Sequence, residues 1–520
     1  MSEANGNAAD YFIERHLREG RGGRLAFTDP WRSLSYAQLS DASARFAAGL
    51  AKAGIERERR IALLMLDTID FPIAFWGALR AGIVPVPINT LLPADITEYI
   101  LRDSRAAALV VSAPLLDPLR PVLDRLPALK QVVVSEPNGE PSYHPKATGF
   151  ATFLDSAVPS GEIAECSPDE VAFWLYSSGS TGAPKGARHV HSNLRATSDT
   201  YGLQVLQIEP GDLVFSVAKL FFAYGLGNSM TFPMAVGAAS VLVPDRPTPD
   251  LVLATMRRVR PTMFAGVPTL YAALLAHPEL GPGAGSDRLR RCISAGEPLP
   301  EHVGRRWHET VGVDILDGIG STEMLHIFLS NHPDDIRYGT TGKAVPGYEL
   351  RIVTDEGADA ADGETGELIV KGPSAAEGYW NQRDKSRRTF RGEWAYTGDT
   401  YIRDADGYYR YCGRSDDMLK VSGIWVSPFE VEEALIGHAA VLEAAVVGHP
   451  DPEGLIKPKA FVVLQQSAQR DDVDALSEAL QNHVKEQIGV WKYPRWIEFC
   501  DGLPKTATGK IQRYRLREPG

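Results

Sequence analysis

The segment 176–186 carries the residues of this chain best suited to hold an anion. It reads Tyr-Ser-Ser-Gly-Ser-Thr-Gly-Ala-Pro-Lys-Gly and follows an apolar run at 171–175. Glycines let backbone N–H groups turn toward an anion, hydroxyls add donors, and Lys185 adds a mobile positive charge. A Walker loop ends in Gly-Lys-Ser/Thr, whereas the order here is Lys185-Gly186, so a P-loop ATPase is disfavoured. Taken alone, the segment is compatible with a phosphate site and with a flexible surface linker.

Two further glycine turns lead into a carboxylate. The segment 317–323 (DGIGSTE) ends in Glu323, which could ligate Mg²⁺ beside a triphosphate while Thr322 donates to a phosphate. The segment 396–399 (YTGD) ends in Asp399, which could accept the hydroxyls of a ribose. Near the carboxyl terminus, Lys510 lies in a turn-rich segment. If this segment forms a loop that closes over a reaction centre, Lys510 could bring a positive charge there. Each motif by itself is also compatible with an ordinary solvated turn.

Short apolar runs alternate with amphipathic segments over the first 300 residues. This rhythm indicates parallel α/β layers covered on both faces. From about residue 339, short strands recur with turn signals every eight to twelve residues, which predicts a small barrel-like unit. The predicted helices are 36–53, 69–81, 428–436 and 474–488. The predicted strands are 60–66, 83–88, 107–111, 212–218, 239–243, 262–265, 291–294, 349–353, 366–371, 408–412, 442–447 and 495–499, with a polar loop at 136–148.

These patterns predict an α/β fold with more than one domain, because 520 residues exceed what one core holds. We expect a large N-terminal domain of layered parallel α/β sheets at 1–413, with a β-barrel-like subdomain at about 339–413. A charged linker at 414–417 then leads to a small α+β domain at 418–520.

Composition excludes several classes of partner. The net charge of −12, with no basic stripe, argues against nucleic acid and anionic membranes. Four dispersed cysteines make a disulfide framework or a zinc cluster improbable. The first ten residues lack a signal pattern, and no apolar run reaches the ~18 residues that span a bilayer, so a cytoplasmic location is expected. The sequence does not fix the oligomeric state, and a homodimer stays open.

The order of the motifs resembles that of the adenylate-forming superfamily of acyl-CoA synthetases, adenylation domains and luciferases. The matching segments, spread over nearly the whole chain, are 176–186, 221–225 (FFAYG), 320–323 (GSTE), 397–399 (TGD), 413–417 (GRSDD) and 504–510. More narrowly, 218–228, 321–328 and 418–430 look like benzoate-type aryl-CoA ligases. The resemblance implies ATP-dependent joining of benzoate or a ring-substituted benzoate to coenzyme A, through an aryl-adenylate, with release of AMP and pyrophosphate.

The resemblance also implies a role for each candidate residue. Lys510 contacts the substrate carboxylate and the α-phosphate region, Thr322 the α-phosphate and Glu323 the Mg²⁺ ion. The other nucleotide-binding residues are Ser177, Ser178, Gly179, Ser180, Thr181, Gly182 and Lys185 for the β- and γ-phosphates, Gly296, Glu297, Asp317, Gly318 and Ile319 for adenine, and Asp399 and Arg414 for ribose. The expected aryl pocket consists of Phe222, Ala223, Tyr224, Gly225, Gly320, His326 and Ile327.

By the same resemblance, the small domain rotates between the two half-reactions about Asp416. The rotation withdraws Lys510 and brings in Lys420, which with Ser422 and Gly423 helps to form the pantetheine tunnel. Two alternatives stay open at this point. One is a stand-alone aryl-acid adenylating enzyme that loads a separate carrier protein. The other is a non-enzymatic AMP sensor, which would have no use for Lys510, Glu323 or Asp399.

Overall fold

The computed structural model describes residues 5–136, 147–177, 183–415, 417–421, 424–452, 455–465, 473–489, 492–505 and 511–517. The chain forms two compact units. The first comprises Met1–Glu349 with Val370–Ala395, and the second comprises Leu350–Ile369 with Tyr396–Gly520. The linker predicted at 414–417 therefore lies inside the second unit, and its role as a hinge stays a prediction. Asp416 itself lies outside the described residues.

The described strands are, in chain order, β1 Leu25–Thr28, β2 Ser33–Ser35, β3 Arg60–Leu64, β4 Val84–Pro87, β5 Ala108–Ser112, β6 Gln131–Ser135, β7 Ala147–Gly149, β8 Val171–Ser177, β9 Lys185–Val190, β10 Leu213–Ser216, β11 Ala239–Val241, β12 Met263–Gly266, β13 Arg291–Ser294, β14 Ile315–Gly320, β15 Ile327–Ser330, β16 Lys343–Ala344, β17 Glu349–Val353, β18 Thr365–Lys371, β19 Phe390–Arg391, β20 Trp394–Arg403, β21 Tyr409–Arg414, β22 Leu419–Val421, β23 Ile424–Val426, β24 Val441–Pro450, β25 Ile456–Leu464 and β26 Trp496–Phe499.

The described α-helices are α1 Arg15–Arg18, α2 Tyr36–Lys52, α3 Asp70–Arg80, α4 Ala94–Asp103, α5 Arg120–Leu123, α6 Phe150–Leu154, α7 His191–Thr197, α8 Ala223–Leu226, α9 Phe232–Val236, α10 Pro249–Val259, α11 Pro268–Leu275, α12 Glu301–Val311, α13 Arg383–Thr389, α14 Pro428–Ile436, α15 Val473–Ile488 and α16 Arg513–Arg517. Shorter 3₁₀ or π-helical segments are Asp10–Glu14, Ala113–Leu115, Asp117–Leu119, Ser198–Val205, Gly227–Thr231 and Pro282–Gly285.

Parallel pairing dominates the first unit. One sheet has the order β16-β15-β14-β13-β12-β10-β11-β1-β2, and its pairs from β14 through β1 are parallel. A second sheet, β4-β3-β5-β6-β7, is parallel throughout. Strands β8 and β9 form a separate antiparallel hairpin. The carboxyl ends of neighbouring parallel strands meet at one edge of a sheet, where ligands of open α/β sheets bind.

Helices α2 and α3 show how local sequence builds this core. Ser35 begins α2 with a capping box, because its side chain accepts from the Gln38 N–H while the Gln38 side chain accepts from the Ser35 N–H. Every residue of α3 is buried, including Trp76, and each such large apolar side chain contributes about 1.5–3 kcal/mol. A Cβ on Gly77 would lie 2.9 Å from the Ser43 carbonyl oxygen, so glycine allows the two helices to approach closely.

The second unit has an α+β core. Strands β24, β25 and β26 form one sheet, with β24 antiparallel and β26 parallel to β25. Helices α14 and α15 pack in the same hydrophobic cluster, through Val431, Leu435, Leu480 and Val484. Strands β17, β18 and β20, most of whose residues belong to this unit, form a sheet with β19, and β21 pairs with β20.

The predicted fold class is confirmed. The helices expected at 36–53, 69–81, 428–436 and 474–488 form with shifts of at most one residue, and strands 291–294 and 349–353 have the expected bounds. The polar-loop prediction for 136–148 fails at its end, where residues 147–149 pair with β6 as strand β7. Helix α13, inside the segment read as β-rich, was also not anticipated. Across the described residues, none of the helices combines the length and the apolarity needed to cross a bilayer.

Candidate active site

The predicted phosphate loop joins the two strands of the β8–β9 hairpin. Ser177 ends β8 and Lys185 begins β9, and the two residues face each other in the strand register. Within the described part of the chain, the Ser177 hydroxyl is buried and has no hydrogen-bond partner. A buried hydroxyl without a partner is costly, and a phosphate oxygen would satisfy it. Ser178, Gly179, Ser180, Thr181 and Gly182 lie outside the described residues.

Lys185 and Glu323 meet through a tyrosine that the sequence motifs do not include. Lys185 Nζ donates to the Tyr379 hydroxyl at 2.8 Å, and that hydroxyl donates to Glu323 Oε1 at 2.6 Å. Nζ also lies 3.4 Å from Oε1 and 4.3 Å from the centre of the Tyr379 ring. The structure therefore brings the lysine of the phosphate loop and the predicted metal ligand into one hydrogen-bonded chain.

Glu323 stays ionised in this environment. Burial alone raises the pKa of a carboxyl group, but the Lys185 ammonium and the Tyr379 hydroxyl hold the pKa of Glu323 below its ordinary value. Among the described residues there is no group of three or more His, Cys, Asp or Glu side chains that could hold a metal. An ionised single carboxylate fits Mg²⁺, which is usually bound by one or two carboxylates together with substrate phosphates.

The backbone of the Thr322-Glu323 turn is fixed by neutral donors. Asn193 Nδ2 donates to His189 Nδ1 at 3.0 Å, so the other ring nitrogen, Nε2, carries the proton that it donates to the Thr322 carbonyl at 2.8 Å. Burial lowers the pKa of His189 to about 4, which keeps the ring neutral. The Ala376 N–H donates to the Glu323 carbonyl at 2.8 Å. The turn is thereby held from two sides.

The predicted adenine-binding residues lie at the ends of two adjacent strands. Ser294 on β13 pairs in register with Asp317 on β14, and Gly296 and Glu297 directly follow β13. Gly296 has a φ of +95°, a conformation that glycine adopts without strain. Asp317 is buried, and burial raises the pKa of its carboxyl to about 8. Gly318 and Ile319 continue β14 toward the Glu323 turn.

The predicted aryl pocket is partly assembled by hydrogen bonds. His326 Nε2 lies 3.3 Å from the Tyr224 carbonyl oxygen, and the two rings are 5.8 Å apart. The Tyr224 hydroxyl lies 3.1 Å from the carbonyl oxygens of Gly266 and Ile293. Burial lowers the pKa of His326 to about 3, so its ring is neutral. Its Nδ1 is buried without a hydrogen-bond partner in the described structure.

The remaining predicted pocket residues lie on the β14–β15 pair and at the start of α8. Gly320 on β14 faces Ile327 on β15, which places both beside His326. Phe222 precedes α8, and Ala223, Tyr224 and Gly225 form its first residues. A Cβ on Gly225 would lie 2.1 Å from the Lys219 carbonyl oxygen, so only glycine fits there. Phe221 is buried, whereas Phe222 keeps partial exposure and its ring lies 4.5 Å from that of Phe221.

In the second unit, Asp399 and Arg414 form a pair. They are register partners on β20 and β21, and Arg414 Nη1 donates to Asp399 Oδ1 at 3.3 Å and to the Thr397 carbonyl at 3.0 Å. Gly398, which lies between Thr397 and Asp399 in the chain, has a φ of +70°. A carboxylate and a guanidinium held side by side offer an acceptor and donors to neighbouring hydroxyls.

Some of the predicted residues lie wholly or partly outside the described structure. Lys420 lies on β22 opposite Trp425, and its side chain is not described. Ser422, Gly423 and Lys510 lie outside the described residues. Lys505 and Ile511, which flank residues 506–510, pair with each other in an antiparallel bridge. The Gln512 N–H also donates to the Pro504 carbonyl at 2.8 Å.

Two protein-family models match this chain. The AMP-binding enzyme model matches residues 13–380, and the AMP-binding enzyme C-terminal domain model matches residues 430–510. The chain belongs to the AMP-binding enzyme family. Both matches together include the phosphate loop, the Glu323 turn and Lys510. The predicted resemblance and the predicted enzyme class, an AMP-forming ligase, are confirmed.

Several proteins of known activity are similar to this chain over nearly its whole length. A 4-hydroxybenzoate–CoA/benzoate–CoA ligase of Rhodopseudomonas palustris is 54% identical over 514 residues, covering 98% of this chain and 94% of the relative. A benzoate–CoA ligase of Thauera aromatica is 53% identical, covering 98% of this chain and 95% of the relative. The crystal structure of a benzoate CoA ligase from Burkholderia xenovorans LB400 has a TM-score of 0.90 at 48% identity, covering 98% of this chain and 100% of that one.

A structure of the anthranilate CoA ligase AuaEII in complex with anthranoyl-AMP is also similar, with a TM-score of 0.92 at 43% identity. It covers 99% of this chain and 97% of that one.

The sequence motifs missed Tyr379, since a Gly-Tyr-Trp run shows no chemistry by itself. Its pairing with Ala187 on β9 would have been the signal, and such long-range pairing is not visible in one sequence.

Proposed function

We propose that this protein joins an aromatic carboxylic acid to coenzyme A in an ATP-dependent reaction. In the first half-reaction the aryl carboxylate attacks the α-phosphorus of ATP, which gives an aryl-adenylate and releases pyrophosphate. In the second, the thiol of coenzyme A attacks the aryl carbonyl, AMP leaves, and the thiol proton is released. The observation that carries the proposal is the ionised, part-buried Glu323 linked to the phosphate-loop Lys185, in a chain of this family.

Charge is the main problem that the site must solve. The acid and the triphosphate are both anions and repel each other, so cations and fixed donors must bring them together. We assign Lys185 and the Ser177 hydroxyl to the departing phosphates, and Thr322 to the α-phosphate. Bound Mg²⁺ would be held by Glu323 and would neutralise phosphate charge. Lys510, by its place in the family motif, is assigned to the carboxylate and the α-phosphate.

We assign one set of residues to the adenine of ATP and another set to its ribose. Gly296, Glu297 and the 317–319 segment are proposed to contact adenine, because β13 and β14 place them together. Asp399 and Arg414 are proposed to bind the ribose hydroxyls. Lys420, Ser422 and Gly423 are proposed to line the path of the pantetheine arm, with Asp416 as the pivot between half-reactions. A cytoplasmic location and a homodimer remain predictions.

The aryl group is assigned to the pocket around Tyr224 and His326. Its aromatic and glycine-lined walls suit a flat ring, and benzoate-active relatives support this class of acid. The neutral His326 presents Nδ1 as a buried acceptor, which a hydroxyl or amino substituent on the ring would satisfy. We therefore expect turnover of benzoate and of at least one hydroxy- or aminobenzoate.

The proposal is tested by chromatographic detection of aryl-CoA. The purified chain is incubated with MgATP, coenzyme A, and benzoate or a ring-substituted benzoate. We expect one aryl-CoA and one AMP per acid consumed, with no ADP. Acylation of a phosphopantetheine carrier protein without turnover of free coenzyme A would instead support the carrier-loading alternative. ATP binding without any acid-dependent AMP release would support the sensor.

A further inference from the structure

Tyr379 lies between the two charged groups of the nucleotide site, although no motif in the sequence includes it. Its hydroxyl accepts a hydrogen bond from Lys185 Nζ at 2.8 Å and donates one to Glu323 Oε1 at 2.6 Å. Because the lysine has no acceptor and the carboxylate is ionised, the direction of both hydrogen bonds is fixed. The neutral phenol hydroxyl thus stands between a positive ammonium and a negative carboxylate.

The backbone holds Tyr379 in place along β9. The Trp380 N–H donates to the Gly186 carbonyl at 2.8 Å, and the Arg188 N–H donates to the Gly378 carbonyl at 3.0 Å. Tyr379 itself pairs with Ala187 in an antiparallel bridge, and its N–H donates to Ser386 Oγ at 2.9 Å. The segment 377–380 therefore runs beside the strand that begins with Lys185. The ring is buried and packs against Phe390, 5.7 Å away between ring centres.

Without this hydroxyl, the part-buried ammonium and carboxylate would lose the partner that they share. They are 3.4 Å apart, and the attraction between opposite charges would draw them into closer contact. Such a pair would occupy the lysine needed by the phosphates and the carboxylate needed by the metal. With the hydroxyl present, both of these contacts are made to Oε1, and Oε2 is the oxygen that we assign to the cation.

We propose that Tyr379 is a positioning residue for the magnesium nucleotide, an inference that rests on the proposed function. Its hydroxyl holds Glu323 by Oε1 whether or not Lys185 stays paired. Lys185 can therefore turn to the phosphates while Glu323 keeps the orientation that presents Oε2 to Mg²⁺. The residue touches neither reacting atom and acts through Lys185 and Glu323.

Binding of MgATP to the full-length protein, measured by isothermal titration calorimetry, tests the proposal. Tyr379→Phe keeps the ring and removes the hydroxyl, and we expect the Kd for MgATP to rise roughly 10-fold, as for loss of a hydrogen bond to a charged group. Tyr36→Phe is the matched control, because it removes a buried hydroxyl whose partner is the Ala238 carbonyl, far along the chain from the site residues. We expect its Kd to stay within about 2-fold of the parent value.

A double-variant cycle separates positioning from a loss of packing. In the Glu323→Gln background, Tyr379→Phe has little left to position, and we expect it to change the Kd for MgATP by less than about 2-fold. A full further 10-fold loss in that background would overturn the proposal. So would equal Kd values for Tyr379→Phe and Tyr36→Phe, or a Tyr379→Phe protein that melts well below Tyr36→Phe, since the hydroxyl would then serve folding.

A second readout distinguishes this inference from the proposed function. Thioester formation from supplied aryl-adenylate and coenzyme A needs no MgATP, and we expect Tyr379→Phe to leave its rate within about 2-fold. An equal loss in MgATP binding and in this half-reaction would overturn the positioning role. If the parent protein binds MgATP but makes no aryl-CoA, the proposed function fails, while the binding comparison still decides the role of Tyr379.

Discussion

Asp317 gives the site a measurable pH signature at the scale of one residue. Burial raises the pKa of its carboxyl to about 8, whereas an unfolded aspartate titrates near 3.9. Between these values the folded protein keeps a proton that the unfolded chain releases, so the free energy of unfolding falls as the pH rises. From pH 6 to pH 9, this group alone is expected to remove about 3 kcal/mol.

Asp317→Asn mimics the protonated acid and does not titrate. Urea unfolding followed from pH 6 to pH 9 should therefore show about 3 kcal/mol less loss of stability in this variant than in the parent. Asp169→Asn, which changes an exposed carboxylate in a turn, serves as the control and should leave the pH dependence unchanged. Identical pH dependence in the parent and Asp317→Asn would contradict a buried, protonated Asp317.

The sequence singled out individual charged residues but not the contacts between them. Lys185 and Glu323 were identifiable because glycine turns and a charged residue at fixed spacing imply phosphate and metal chemistry. Tyr379 was not, because its contacts join positions 194 and 56 residues apart in the chain. His189, which fixes the Thr322 carbonyl, was likewise hidden, since its role depends on a neutral tautomer set by Asn193.

At the scale of elements, the β14–β15 hairpin depends on Gly320. This residue faces Ile327, and a Cβ at Gly320 would lie 2.5 Å from the His326 carbonyl oxygen. The obstacle is backbone rather than a flexible side chain, so the two strands would have to separate. We expect Gly320→Ala to lower the free energy of unfolding by about 1–3 kcal/mol. We also expect it to raise the KM for the aryl acid.

The matched control for this change is Gly211→Ala. A Cβ at Gly211 would meet no atom of the described residues within 4 Å, and the φ of Gly211 is not in the left-handed region. We expect a change in unfolding free energy within about 0.5 kcal/mol and an unchanged KM. Thermal or urea unfolding together with steady-state kinetics checks both variants. A Gly320→Ala protein that matches Gly211→Ala in both would show that the hairpin tolerates a side chain.

The elements that were predicted form within a few residues of their expected bounds, because burial on a helix or strand leaves a periodic pattern. Two of the elements that were not predicted have weak periodicity. Strand β7 has only three residues and forms by pairing with β6, and α13 is a polar helix without buried residues. Local sequence carries little signal for either, since partner elements supply the stabilising contacts.

At the scale of the whole molecule, we expect different lysines to serve the two half-reactions. The role of Lys510 comes from its place in the family motif. Lys510→Ala should lower the rate of adenylate formation roughly 10²–10³-fold, as loss of an electrostatic stabiliser does. Thioester formation from supplied aryl-adenylate should be largely spared. Single-turnover assays of each half-reaction measure the two rates.

Lys505→Ala is the control for this comparison. Lys505 lies on the same polar run and pairs with Glu443 at 2.5 Å on the surface of the second unit. Both half-reactions of this variant should stay within about 2-fold of the parent rates. Equal losses in the two half-reactions of Lys510→Ala would contradict the division of labour between the two steps.

Isotope transfer tests whether the acid is activated as an adenylate. The protein is incubated with benzoate carrying ¹⁸O in its carboxylate, MgATP and coenzyme A, and the products are analysed by mass spectrometry. The carboxylate oxygen that attacks the α-phosphorus stays with it when the thiol displaces AMP. We predict one ¹⁸O atom in AMP for each aryl-CoA formed and none in pyrophosphate. Label in inorganic phosphate together with ADP, or AMP without label, would contradict an aryl-adenylate intermediate.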